Sequence, residues 1–274
     1  MVQRRRMFGL DFVDAPTVQV VLDELLAKRA EARVAVGADA DSRAASPVAR
    51  GSGIVVTPNV DHLVKLKRNT DATAAAVAAS AEYVLPDGQP IVWASRLLGA
   101  PLTARLPGSS LVAELWPQLV AAGTPALVVA SSDEIATRAA AEHRNAVCLV
   151  APKLPLDDVG LFERFAQECV AAALEAGVEF AFFTVGFPRQ ERLIESFHRQ
   201  WRAMSAVPVP VCLGIGASFE MYYGLKRRAP RWMQRIGAEW FFRFIQEPRR
   251  LFHRYFIDGL AFPGMVIAEW RTRR

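Results

Sequence analysis

The sequence predicts an α/β fold: a Rossmann-like parallel sheet flanked by helices, with a C-terminal helical appendage that is basic and aromatic. Three observations carry this prediction. Short continuous apolar runs (IVV, PALVVA, AVCLVAP, EFAFFTVGFP, VPVCLGIG) alternate with segments of helical spacing, the pattern of strands buried on both faces. Several of these runs break at their ends into polar turns, TPN, PDG and GFPRQE. The charge, finally, is unevenly spread. Residues 226–274 hold one Lys and 11 Arg against four acids, so this stretch carries net +8 of a chain whose total is +5.

Taken in order, residues from Phe8 to about Ala32 read as a short extended start followed by a helix, VQVVLDELLAKRA, with apolar residues at helical spacing. The stretch from Gly37 to Gly53 is rich in Gly, Ala, Ser and Asp without periodicity and reads as a loop. IVV then forms a buried strand, and an Ala-rich helix covers Asp71 to Ala81. YVLPDG is a strand end and tight turn. In PALVVASSDEIATRAAAEHR a strand passes into a helix, with Ser131 and Glu134 at capping-box spacing. AVCLVAP is the next strand. A long helix follows from Asp157 to Ala176, with Leu161, Phe165, Cys169 and Ala173 on one face and Gly177 as its stop. The strands EFAFFTVGFP and VPVCLGIG enclose the helix RQERLIESFHRQWRAM. The expected division is a core over 1–216 and a membrane-associating appendage over 217–274.

With 52% hydrophobic residues in 274, the chain can bury a full-sized core. Its apolar runs fall short of the roughly 18–20 residues that span a bilayer, and its first residues lack a signal-peptide pattern. A cytoplasmic protein is therefore expected. Cys148, Cys169 and Cys212 are far apart and without CxxC spacing, which fits buried, inert thiols better than a metal or redox site. The four histidines form no ligand pair. GxGxxG after a strand, GxxxxGK[ST], GxSxG and HExxH are all absent, which removes support for dinucleotide enzymes, P-loop enzymes, serine hydrolases and zinc proteases.

In open parallel sheets ligands sit beyond the carboxyl ends of the strands, so the polar turns are the candidates to share a cleft. Asp87 follows an apolar strand between Pro86 and Gly88 and is placed to act as a general base on a hydroxyl; Pro-Asp-Gly is also a common turn. Thr57 and Asn59 suit sugar hydroxyls or phosphate oxygens, or else cap the next helix. Gln190 and Glu191 lie where a strand turns into a helix, facing a ligand or capping that helix. Asp39 and Asp41 form a DxD pair, a spacing that can hold a metal, but inside the Gly/Ala-rich loop they read as loop residues. No metal or other cofactor is expected. In the appendage, arginines interleave with aromatics, which fits a packed helical subdomain, a membrane surface or single-stranded nucleic acid.

The ordered set TPNVDH, LPDGQPIVWASRLLG, ARLPGSSL, VGFPRQE, LGIGASFE and KRRAPRWMQRIGAEWFFRFIQEPRRLFHRY resembles the WecG/TagA/CpsF family of bacterial glycosyltransferases, over about Phe8 to Tyr255. The resemblance implies metal-independent, inverting transfer of a hexose, of glucose or N-acetylmannosamine type. The donor would be a UDP-sugar and the acceptor a polyprenyl-diphosphate-linked sugar, in exopolysaccharide or cell-envelope assembly at the inner face of the cytoplasmic membrane. By position it places the base on Asp87, pocket residues on Thr57, Asn59, Arg105 and Gln190, and appendage arginines on Arg228, Arg243, Arg250 and Arg254. No nucleic-acid partner is then expected; a nucleic-acid-binding protein using the Arg/aromatic tail is the alternative. The chain departs from the family pattern at VVASSDE, where relatives carry a Gly-Gly turn, and around Glu220, Tyr222 and Tyr223.

Overall fold

The computed structural model describes residues 2–38, 53–226, 229–230, 233, 239–246 and 259–273. The chain opens with strands β1 (Gln3–Met7) and β2 (Leu10–Asp14) and helix α1 (Val18–Ala38), then β3 (Ile54–Val56), α2 (Val60–Lys67), α3 (Ala72–Ser80) and β4 (Tyr83–Val84). It continues with α4 (Gln89–Leu97), α5 (Gly108–Ala122), β5 (Ala126–Ala130), α6 (Asp133–Glu142), β6 (Ala146–Val150) and α7 (Val159–Glu175). The last part comprises β7 (Phe180–Phe183), α8 (Arg189–Met204), β8 (Val211–Gly214), α9 (Ser218–Tyr222) and the helices Glu239–Gln246 and Ala261–Thr272.

The eight strands form one sheet in the order β1-β2-β4-β3-β8-β7-β5-β6. Every pairing is parallel except β1 with β2. Because side chains alternate across a strand, Ile54 and Val56 enter one core while Val55 enters the other. The first core is closed by α2, α3, α4, α7 and α8, the second by α1, α5, α6 and α9. The predicted three-layer α/β architecture is thus what the chain adopts.

Several elements differ from the sequence reading. The extended start is a hairpin, whose two-residue turn has Phe8 and Gly9 at φ 52° and 79°, the mirror-image turn that matches strand twist. Phe8 is held in this left-handed conformation from outside. Its ring packs on Phe262 at 5.6 Å and its N–H donates to Glu269 Oε1 at 3.3 Å. β1 is a basic edge strand. Arg5 pairs with Asp14 and Arg6 with Asp11, a charged edge that discourages further strand pairing. Gly37, expected in the loop, lies within α1; the loop residues 39–52, with Asp39 and Asp41, lie outside the described residues. The cap of α6 is Ser132, which accepts from the Ile135 N–H, not Ser131. Helix α7 runs from Val159 and buries Phe162 beside Phe165, Cys169 and Ala173, while Leu161 is only partly buried. Cys169 and Cys212 are buried and Cys148 half-buried, and burial pushes the Cys148 thiol up to about 11.

Among the described residues no helix is long and apolar enough to cross a membrane. The helix Ala261–Thr272 packs back on the sheet domain. Phe262 is buried in the first core, and the Arg273 guanidinium donates to the carbonyls of Leu98 and Arg6.

Candidate active site

Four neighbouring strands, β4, β3, β8 and β7, end along one edge of the sheet. The residues that follow them are tied together by the backbone. Leu85 N–H donates to Val56 O at 2.8 Å and Asp87 N–H to Pro58 O at 3.0 Å, so strand-like pairing continues past β3 and β4 and sets Asp87 beside the Thr57–Asn59 turn. Leu106 N–H donates to Pro86 O at 2.8 Å, which draws in Arg105 and the start of α5. Asp87 and Arg105 are both half-buried.

Thr57 is buried, and its hydroxyl donates to Gly214 O at 3.3 Å, linking the ends of β3 and β8. Asn59 does what the simpler reading allowed and caps α2, accepting from His62 N–H at 3.2 Å. Its Nδ2 lies 3.4 Å from His62 Nε2, and the His62 ring stacks on Phe187 at 4.6 Å. The turn after β3 is thereby joined to the one after β7.

Gln190 and Glu191 do not cap α8; the residue at its N-cap is Pro188, with no side-chain cap bond. Gln190 is buried and reaches across to the turn after β8, where its Oε1 accepts from Gly216 N–H at 2.9 Å. Its Nε2 donates to Glu191 Oε1 at 2.9 Å. Next to them, Asp71 caps α3 through Ala74 N–H and pairs with Arg192 at 2.6 Å.

Burial is the main force on Glu191, which is 3% exposed. It pushes the carboxyl up to about 7, the Gln190 amide opposing and the Asp71 charge adding to the rise. A carboxyl raised in the folded state favours folding less as pH climbs: the penalty is absent below the ordinary carboxylate range, grows between about 4.5 and 7, and is complete above it. Glu191→Gln is therefore expected to stabilise the fold at pH 8 by on the order of 3 kcal/mol. At pH 4 the gain should vanish, and urea unfolding at the two pH values checks both.

Two further residues of the site were not singled out in the sequence. Gly108 opens α5 directly against the cleft edge: a Cβ there would lie 2.9 Å from Ser218 Oγ and 3.1 Å from Thr57 Oγ1. Neither hydroxyl is at leisure to move, since Ser218 Oγ donates to Ile215 O at 2.6 Å and Thr57 to Gly214 O. Gly108→Ala is expected to turn both hydroxyls away, costing about 1–3 kcal/mol of stability by overpacking and a larger share of activity. Thermal melting and a transfer assay, with Gly264→Ala as a control where a Cβ meets open space, check this.

Around α9, Trp116 Nε1, Tyr222 OH and Tyr223 OH all donate to the Glu142 carboxylate at 2.8–2.9 Å, and Glu220 pairs with Lys226 at 2.6 Å. The departures noted at 220, 222 and 223 thus fall on residues that brace α9.

A model of the glycosyl transferase WecG/TagA/CpsF family matches residues 32–274. The chain belongs to this family. Two relatives carry the same description, N-acetylglucosaminyldiphosphoundecaprenol N-acetyl-beta-D-mannosaminyltransferase. The one from Bacillus subtilis (strain 168) is 26% identical over 178 residues, 64% of this chain and 64% of the relative. The one from Bacillus spizizenii (strain ATCC 23059 / NRRL B-14472 / W23) is 28% identical over 181 residues, 64% of this chain and 65% of the relative. The chain thus spans just under two thirds of the length of these curated relatives. Thr57, Asn59, Asp87, Arg105, Gln190 and Glu191 come from four separate segments and meet along one sheet edge. Arg243 lies in the helix Glu239–Gln246, whereas Arg228, Arg250 and Arg254 lie outside the described residues.

Proposed function

We propose that this chain transfers a hexose from a UDP-sugar to a polyprenyl-diphosphate-linked sugar, with inversion at the anomeric carbon and without a metal ion. The observation that carries this reading is the position of Asp87, pinned by its own N–H to Pro58 O at the sheet edge where Thr57 and Asn59 also lie, in a member of a glycosyl transferase family. The relatives' description favours N-acetylmannosamine as the sugar moved and N-acetylglucosamine as the lipid-linked acceptor over glucose.

In this mechanism Asp87 accepts the proton of the acceptor hydroxyl as its oxygen bonds to the anomeric carbon. The bond from that carbon to the donor phosphate breaks, and UDP departs with the bonding electrons. Charge growing on the diphosphate needs fixed donors. Arg105 and the amide of Gln190, at the same sheet edge, are the candidates in the described residues, and the resemblance adds Arg228, Arg243, Arg250 and Arg254. The same basic, aromatic appendage would hold the enzyme at the inner face of the membrane, where anionic lipid attracts each basic residue by about 1 kcal/mol.

The test is a screen of UDP-sugars, UDP-N-acetylmannosamine and UDP-glucose first, against short-chain polyprenyl-diphosphate N-acetylglucosamine with chelator present. Expected is one transferred sugar whose anomeric configuration, read by NMR, is opposite to the donor's. Retention of configuration, or dependence on added metal, would overturn the mechanism; no transfer from any donor would overturn the function.

A further inference from the structure

Glu191 is a carboxyl in an unfavourable place. Its Oε1 accepts from Gln190 Nε2, while Oε2 is buried without a hydrogen-bond partner among the described residues. Such a group is expensive to keep in a dry interior, and strongly perturbed carboxyls of this kind cluster at functional sites. Its Oε1 is held by Gln190. That amide is fixed at both ends, since its Oε1 takes the Gly216 N–H at 2.9 Å. It lies close against β8, where a Cβ at Gly214 would be 3.0 Å from Nε2. A flipped amide would set NH₂ against the Gly216 N–H and an oxygen against the Glu191 oxygen, losing both bonds.

We infer that Glu191 is a positioning residue that acts through Gln190: it locks the Gln190 amide in one orientation, which holds the Gly214–Ser218 turn and leaves one Nε2 hydrogen for an oxygen of the nucleoside-diphosphate donor. This rests on the transferase reading above, although the lock itself exists with or without a substrate. In either protonation state Oε1 accepts, so a glutamine at 191 can replace the carboxyl, whereas alanine cannot.

Two measurements separate the lock from the reaction. In ¹⁵N-labelled protein the Gln190 side-chain NH₂ should show one hydrogen protected from exchange, protection that persists in Glu191→Gln and is lost in Glu191→Ala. Unchanged protection in Glu191→Ala overturns the lock even if no transferase activity is ever found. In the transfer assay, Glu191→Ala should lower kcat/KM for the donor about tenfold and leave the acceptor KM unchanged, with Glu191→Gln within about threefold of wild type. Adding Glu191→Ala to Gln190→Ala should cost nothing further, because the residue acts through its neighbour. Multiplying losses in the double variant, or a Glu191→Gln as damaged as the alanine form, would show that the carboxyl acts by another route. A wild type that neither transfers nor binds UDP would sink the transferase reading and leave the exchange experiment to decide the lock.

Discussion

Asp87→Asn is expected to lower transfer by about 10²- to 10⁴-fold, the range that a positioned general base contributes. The substitution keeps size and shape and removes the negative charge and with it the ability to take a proton. One contact that places the residue is its main-chain N–H to Pro58 O, which asparagine retains, so the fold and UDP binding should be kept. The loss should fall on kcat with the acceptor KM nearly unchanged, since an interaction made mainly in the transition state is being removed. Turnover within tenfold of wild type would remove Asp87 as the base.

Trp116→Ala is expected to give the largest loss of stability, about 3–5 kcal/mol for a fully buried large aromatic. The Trp116 side chain is 0% exposed and meets Phe182, Phe219 and His143 edge to face, with centroids 5.5, 5.0 and 5.2 Å away. Its Nε1 donates to Glu142, the carboxylate that also receives Tyr222 and Tyr223. Removing the ring leaves a cavity under Phe219, and Phe219 is the residue that seats α9 and hence the Gly216–Ser218 turn. Activity measured well below the melting point should therefore fall as well. The check is the urea midpoint at constant slope; a change below about 1 kcal/mol would mean that the second core repacks around the gap.

How much of this could be read from residue order depends on the range of the interaction. Strands buried on both faces announce themselves as unbroken apolar runs, and EFAFF and VPVCLG have little else they can be. Thr57, Asn59, Asp87 and Gln190 were legible for a related reason: polar residues immediately after such runs lie at the ligand-binding edge of a parallel sheet. QRRRM gave no such signal, because an edge strand with three consecutive arginines has no apolar alternation; its order comes from Asp11, Asp14 and the turn at Phe8–Gly9. Gly108 shows the opposite limit. Its need to lack a side chain exists only because Thr57 and Ser218, distant along the chain, converge on it. The burial of Glu191 is of the same kind, since a Glu at the start of an amphipathic helix ordinarily faces water.

The contacts of the last helix bear on how the basic segment should be dissected. Lys226 is fastened to α9 through Glu220, and Phe262 and Arg273 are fastened to the β1–β2 turn and the end of α4. The chain between is thus tethered at both ends to the sheet domain. A deletion from residue 259 onward would remove the second tether and at the same time uncover Phe8, so a truncated protein that loses activity has lost part of its core along with its tail. Charge-reversing substitutions within this segment at arginines other than Arg228, Arg243, Arg250 and Arg254, with Phe262 and Arg273 left in place, are the changes that test the proposed lipid attraction.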